Sequence, residues 1–211
     1  MCCEILGLGV AGRIVVRRFA RAAVIMASLV AACGSADVDE VAGAEQRASE
    51  AVVVGGVAFI ATSPATWRIP QPDGQTVLTL ALHMTNRTDS DLRFNLMDSA
   101  VIELNSVKGR SLRSFTVHHA VRAAPLVSPL LHPGETYLFE FPAELEPSGN
   151  DGTPRLKWVD PSGAIGFIEG LEAGDYGLSF RYSNSLSRAG EFDRIWTGDA
   201  EAGPLRVEIV R

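Results

Sequence analysis

Histidine, serine and cysteine are the side chains that would announce acid–base or covalent chemistry, and this chain carries them in unpromising places. Its four histidines stand at positions 83, 118, 119 and 132. Only His118 and His119 are adjacent, and neighbours on an extended chain point to opposite faces, so the two do not share one metal ion. His83 alternates onto the polar side of a strand, and His132 sits beside the turn residues Pro133 and Gly134. The cysteines are Cys2, Cys3 and Cys33, all upstream of the strand-rich region, which leaves that region no thiol nucleophile, thiolate ligand or disulfide. Ser162 lies in Asp160-Pro161-Ser162-Gly163, a turn composition. No Gly-x-Ser-x-Gly elbow, His-Glu-x-x-His pair, phosphate loop or dinucleotide fingerprint is present. Asn86, Asp89 and Asp91 place oxygens close enough in sequence to offer calcium ligands, but the same residues make an ordinary solvated turn, the preferred reading. The expectation is a domain with no catalytic residues, no metal and no cofactor.

One segment has the composition of a binding element. Ala120 to Pro133 is apolar and proline-punctuated, with Pro125, Leu126, Val127, Ser128, Pro129 and Leu130 at its centre. Exposed, it presents an extended peptide to a protease or an envelope partner. Folded over the open end of a sandwich, it buries Val127, Leu130 and Leu131. The second arrangement is preferred.

The elements that must position these residues read as strands. Leu78, Leu80, Leu82 and Met84 alternate with Thr79, Ala81 and His83. Leu92, Phe94 and Leu96 repeat the period after a polar turn at 86–91, and Ile102 and Leu104 belong to a strand closed by Lys108-Gly109. Tyr137, Phe139 and Phe141 follow the turn His132-Pro133-Gly134-Glu135, and Leu205, Val207 and Ile209 form the last strand. Ala51 to Ile60 is apolar on both faces, with a bend or bulge at Gly55-Gly56, and prolines 64, 70 and 72 mark a loop around Trp67. No helical repeat competes. About seven or eight strands separated by turns point to an all-β antiparallel sandwich.

The central strand is Tyr176, Leu178, Phe180 and Tyr182 alternating with Gly177, Ser179 and Arg181, just after the turn Ala173-Gly174-Asp175. A Tyr at that position resembles the tyrosine corner of immunoglobulin-like sandwiches, whose hydroxyl bonds a backbone group a few residues upstream. Leu178 stands where antibody domains carry a Cys, so packing alone would hold this corner. Tyr182, nearer the strand's far end, is expected to contribute less than Tyr176.

The N-terminus reads as an address. Arg13, Arg17, Arg18 and Arg21 against Glu4 give residues 1–32 a local charge of +3, which leaves −9 for the remainder of a chain whose net charge is −6. So acidic a remainder disfavours nucleic acid and anionic membrane surfaces as partners. The apolar run 22–32 is too short to span a bilayer comfortably and matches the hydrophobic region of a secretory signal. It ends in Val30-Ala31-Ala32-Cys33, which resembles the lipobox of bacterial lipoproteins. That resemblance implies lipid attachment at Cys33, cleavage before it, and a membrane partner reached through the lipid. Gly34, in place of Asp after the lipidated Cys, resembles the outer-membrane case. A start at Val15 or Val16 would give a compact signal headed by Arg17-Arg18. Residues 34–50 are small, acidic and without aromatics, the composition of a flexible tether.

Three further features strengthen a family likeness from Val77 to Val210. They are the strand ending Met84-Thr85-Asn86, the Pro133-Gly134-Glu135 turn before an aromatic strand, and Ala173-Gly174-Asp175-Tyr176. Together they are similar to bacterial immunoglobulin-like envelope modules and to the domain of the intracellular proteinase inhibitor family. Trp196-Thr197-Gly198 resembles the packing anchor before the last strand of such modules. The organisation expected is a signal peptide at 1–32, a lipidated tether at 33–50 and an immunoglobulin-like sandwich at 51–211. The expected function is non-enzymatic binding or scaffolding in the envelope. The alternatives are a protease-inhibitor-like module acting through the 120–133 loop and a hydrolase with a site built from loops.

Overall fold

The computed structural model describes residues 45–211 other than 73, 97–98, 113, 118–127, 149–152, 161–162 and 188–191. Alternation sets the sheets. In Thr76–Asn86, Leu78, Leu80, Leu82 and Met84 are buried while Val77 and Thr79 face out, as a pleat with one wet face requires. Fifteen strands form and no helix does among the described residues.

In chain order they are β1 Gln46–Ala48, β2 Val52–Val54, β3 Val57–Pro64, β4 Thr66–Arg68, β5 Thr76–Asn86, β6 Leu92–Arg93, β7 Ala100–Ser106 and β8 Ser111–Leu112. Then come β9 Ser114–Val117, β10 Leu130–Leu131, β11 Thr136–Ser148, β12 Thr153–Val159, β13 Ile165–Ile168, β14 Gly174–Asn184 and β15 Gly198–Val210. Seven of these are seven residues or longer, the number expected from the sequence. The others are pieces of two to four residues, too short for a period of two to stand out in the sequence.

Two sheets result. One runs β1-β3-β5-β11-β12-β13-β9, with β2 also paired to β3; the other runs β4-β15-β14-β7-β8. Pairing is antiparallel except between β4 and β15. The order β7-β14-β15 is the C-F-G order of an immunoglobulin sandwich, and β12 and β13 lengthen the opposite sheet beyond that plan. The chain passes from one sheet to the other between β8 and β9.

The core lies between the sheets. Phe141 of β11 meets Phe180 of β14 with ring centroids 5.3 Å apart, and Phe139 stacks on Phe141 at 4.5 Å. Each of these buried rings contributes about 1.5–3 kcal/mol relative to exposure. A second aromatic group gathers at the far end of β14, where Phe59, Phe94, Tyr182 and Trp196 pack together at 5.3–6.5 Å. Trp196 is thus the packing anchor foreseen for it.

Three boundaries shift. Gln46–Ala48, assigned above to the tether, pair with Ser63 and its neighbours, so the sheet starts before residue 51. Trp67 is no loop residue: it lies in β4, fully buried, and its indole N–H donates to Ser63 Oγ at 3.0 Å. Gly55-Gly56 is a two-residue hairpin turn between β2 and β3, with φ of 54° and 77°. Both values suit glycine and the twist of a hairpin.

The tyrosine corner is present. Tyr176 Oη donates to the Glu172 carbonyl at 3.0 Å and accepts the Glu172 N–H at 3.2 Å. Tyr182 departs from expectation. It is fully buried, and its hydroxyl donates to the Asn95 carbonyl at 2.7 Å. Burial pushes that hydroxyl far above the usual tyrosine range, against the smaller opposing effects of Ser99 and Asn95. Its burial and its bond argue for the reverse of the expected ranking of Tyr182 below Tyr176.

Candidate binding surface

Of the six residues expected to bind, Pro125, Leu126 and Val127 lie outside the described residues, as do His118, His119, Ser162 and Cys33. Ser128, Pro129 and Leu130 are described, and they are tied down. β10 pairs with β6 through Leu130 opposite Arg93 and Leu131 opposite Leu92. The Phe94 N–H donates to the Pro129 carbonyl, and Arg93 Nη1 donates to the Ser128 carbonyl at 3.0 Å. Leu131 is buried, whereas Leu130 stays 39% exposed and does not join the core. This stretch is a short strand closing one end of the sandwich.

Arg93 is the hub of that end. Its own N–H and carbonyl bond Arg194 and Trp196, and its guanidinium lies 4.8 Å from the Phe192 ring. Strand alternation alone made Arg93 an outward side chain, so its role was not legible.

Asn86 is the second hub. It is fully buried, its Nδ2 donates to the carbonyls of Ser90 and Leu131, and its Oδ1 accepts from the N–H and hydroxyl of Thr88. Asp91 Oδ1 lies 2.7 Å from His132 Nδ1. Asn86 and Asp91 thus tie their turn to the 131–132 segment, and no group of three or more His, Cys, Asp or Glu side chains that could hold a metal ion occurs among the described residues. His83, half-buried on the outer face of β5, hydrogen-bonds Thr62 Oγ1 at 3.1 Å, and burial lowers its pKa.

A cleft of about 600 Å³ opens beside the tyrosine corner, between Ile69-Pro70-Gln71, Thr153-Pro154 and Leu171 to Ala173. Glu172 and Arg211 are its ionisable lining residues. Glu172 pairs with Arg110 at 3.4 Å, with both side chains largely exposed.

The surface best suited to a partner is the outer face of the lengthened sheet. Leu156, Trp158 and Ile168 point into the core, so their alternates point out. Phe115 of β9 stands directly opposite Phe167 of β13, and Ile165 of β13 opposite Val159 of β12. Phe115 is 56% exposed and Val159 41% exposed. Arg155 lies 4.9 Å above the Phe167 ring. Its charge is met by Glu146 at 2.6 Å, while Lys157 reaches Glu144 and Glu146 at 3.6 and 3.7 Å. An apolar patch bordered by neutralised charges is the chemistry of a protein contact. The sequence signal was modest: β9, β12 and β13 were not among the strands read from alternation.

Comparisons of the chain with protein-family models, with curated proteins and with solved structures find no match.

Proposed function

We propose that this chain is a lipid-anchored lipoprotein of the bacterial envelope, retained at the outer membrane as Gly34 suggests by resemblance, and that its sandwich is a non-enzymatic binding module. The observation that carries the binding role is the outward row Phe115, Phe167, Ile165 and Val159 on one sheet face, exposed at Phe115 and Val159 and half-buried at Phe167 and Ile165. An isolated domain gains nothing from a large aromatic in water beside further apolar groups; covering them stabilises a complex by about 25 cal/mol per Å² of apolar area. The anchor rests on Val30-Ala31-Ala32-Cys33 at the end of an apolar run headed by arginines. Two or three acyl chains give firm attachment, each buried methylene contributing about 0.8 kcal/mol.

Two measurements test the two halves. Radiolabelled palmitate enters the wild-type chain and fails to enter Cys33→Ser; label in the variant defeats the anchor. A photo-crosslinking residue at position 115, in intact cells, gives a discrete adduct that the same residue at Val107 does not. Val107 is 71% exposed and outside the patch. Identical adducts at both positions, or none at 115, defeat the binding face.

A further inference from the structure

Two turns meet beside the β6–β10 ladder, and one ion pair joins them. Asp91 immediately precedes β6, and His132 immediately follows β10. His132 Nδ1 lies 2.7 Å from Asp91 Oδ1, and the His132 N–H donates to Glu135 Oε2 at 2.9 Å. The ladder between them has only two residue pairs, Leu130 with Arg93 and Leu131 with Leu92. So short a pairing is not stable alone. Asn86 Nδ2, bonding the Leu131 carbonyl at 3.0 Å, and the Phe94 N–H, bonding the Pro129 carbonyl at 3.2 Å, supplement it. Within this set, the histidine contact is the one that titrates near neutral pH.

We propose that the His132–Asp91 pair is a pH-responsive clasp that fastens the 128–131 segment onto β6. The charged groups acting on His132 are Asp91, across the interface, and Glu135, in its own turn. The hydrogen bond to Asp91 acts most strongly, the Asp91 and Glu135 charges follow, and all three raise the pKa of His132 above its ordinary 6.5. The sign is then fixed. A pKa raised by folding gives stability that is complete below 6.5 and is lost as pH rises through the folded value. The clasp is closed in mild acid and slackens on the alkaline side. Both side chains are well exposed, at 59% and 40%, so the response is small. The inference does not depend on the outer-face patch, and either can fail without the other.

The test is hydrogen–deuterium exchange of the full chain in detergent, resolved to the Phe94 amide. The Leu171 amide, bonded to the Pro154 carbonyl near the opposite end of β14, serves as the internal reference for intrinsic exchange. From pH 6 to pH 8.5 the protection of Phe94 relative to Leu171 falls about two- to fivefold, the range of an exposed ion pair. In Asp91→Asn and in His132→Gln that ratio is already low at pH 6 and does not change with pH. A pH-independent ratio in the wild type overturns the clasp, and so does the wild-type slope surviving in either variant.

Discussion

The Tyr182 hydroxyl donates to the Asn95 carbonyl at 2.7 Å, a bond that spans 87 positions of chain and fixes the far end of β14 to the segment after β6. Ser99 Oγ donates to the same carbonyl at 2.6 Å, and Asn184 Nδ2 bonds the carbonyls of Leu186 and Trp196 close by. The tyrosine corner does the equivalent work at the other end of the strand, within four residues of sequence. β14 is therefore pinned at both ends by phenols.

That arrangement ranks two substitutions. Tyr182→Phe costs about 1–2 kcal/mol, because the ring is fully buried and its 2.7 Å bond joins segments 87 positions apart. Tyr176→Phe costs about 1 kcal/mol or slightly less, because water can reach the freed Glu172 groups. Urea melts of a fragment beginning at residue 45 measure both, and a larger loss for Tyr176→Phe contradicts the ranking.

Asn86 sets a sharper test, since its side-chain amide ties its own turn to β10. Asn86→Ala removes the side-chain donor to the Leu131 carbonyl, while the Ser90 carbonyl keeps the Thr88 hydroxyl, and costs about 1–3 kcal/mol. Asn86→Asp costs more, because it turns an acceptor or a charge toward those two carbonyls in a buried place. If Asp is tolerated better than Ala in the same melts, the donor role assigned to Nδ2 is wrong.

Gly166 lies beneath Trp158, its cross-strand neighbour. A Cβ at that position would fall within the indole ring. Gly166→Ala therefore displaces Trp158 from the core, at a cost of about 1–3 kcal/mol with red-shifted tryptophan emission. Gly74→Ala, where the added carbon meets only contacts of 3.5 Å and longer, stays within about 0.5 kcal/mol of wild type. Equal stability of the two variants would remove the packing argument.

His83 gives a pH dependence of opposite sign to that of His132. Burial lowers its pKa below 6.5, with Glu140 acting weakly the other way. A histidine whose folded pKa is depressed contributes stability that is complete above 6.5 and lost as pH falls through the folded value. The difference in unfolding free energy between wild type and His83→Gln thus narrows or changes sign from pH 7 to pH 5. A constant difference across that range rejects this role for His83.

The legible parts of the fold were those where burial follows backbone period alone. Leu78 to Met84, Tyr176 to Tyr182 and Leu205 to Ile209 alternate because one face of each strand is core. Tyr176 was legible because a corner is local: its partner, Glu172, is four residues away. Asn86 and Arg93 were not, because their partners come from distant segments and a polar side chain in a turn looks the same in sequence whether it is buried or wet. Asn86 reaches Leu131, 45 positions on, and Arg93 reaches Ser128, 35 positions on. The outer patch was hidden for a related reason. Phe115 and Phe167 become neighbours only through the β9–β13 register, and no local pattern in either strand states that pairing.

The parallel pairing of β4 with β15 governs how the chain can be made. Thr66 lies opposite Glu208 and Trp67 opposite Ile209. A polypeptide emerges from a ribosome or a translocation pore with its N-terminus first, so β4 is available long before the strand it needs. Until residue 210 is clear, Trp67 lacks its cover and β14 lacks one of its two neighbours. Closure by so distant a contact is slow relative to local pairing. The nascent domain thus remains open, with aromatic surface exposed, until β15 has emerged, and a stall before residue 210 yields an unclosed sandwich, not a slightly shortened one.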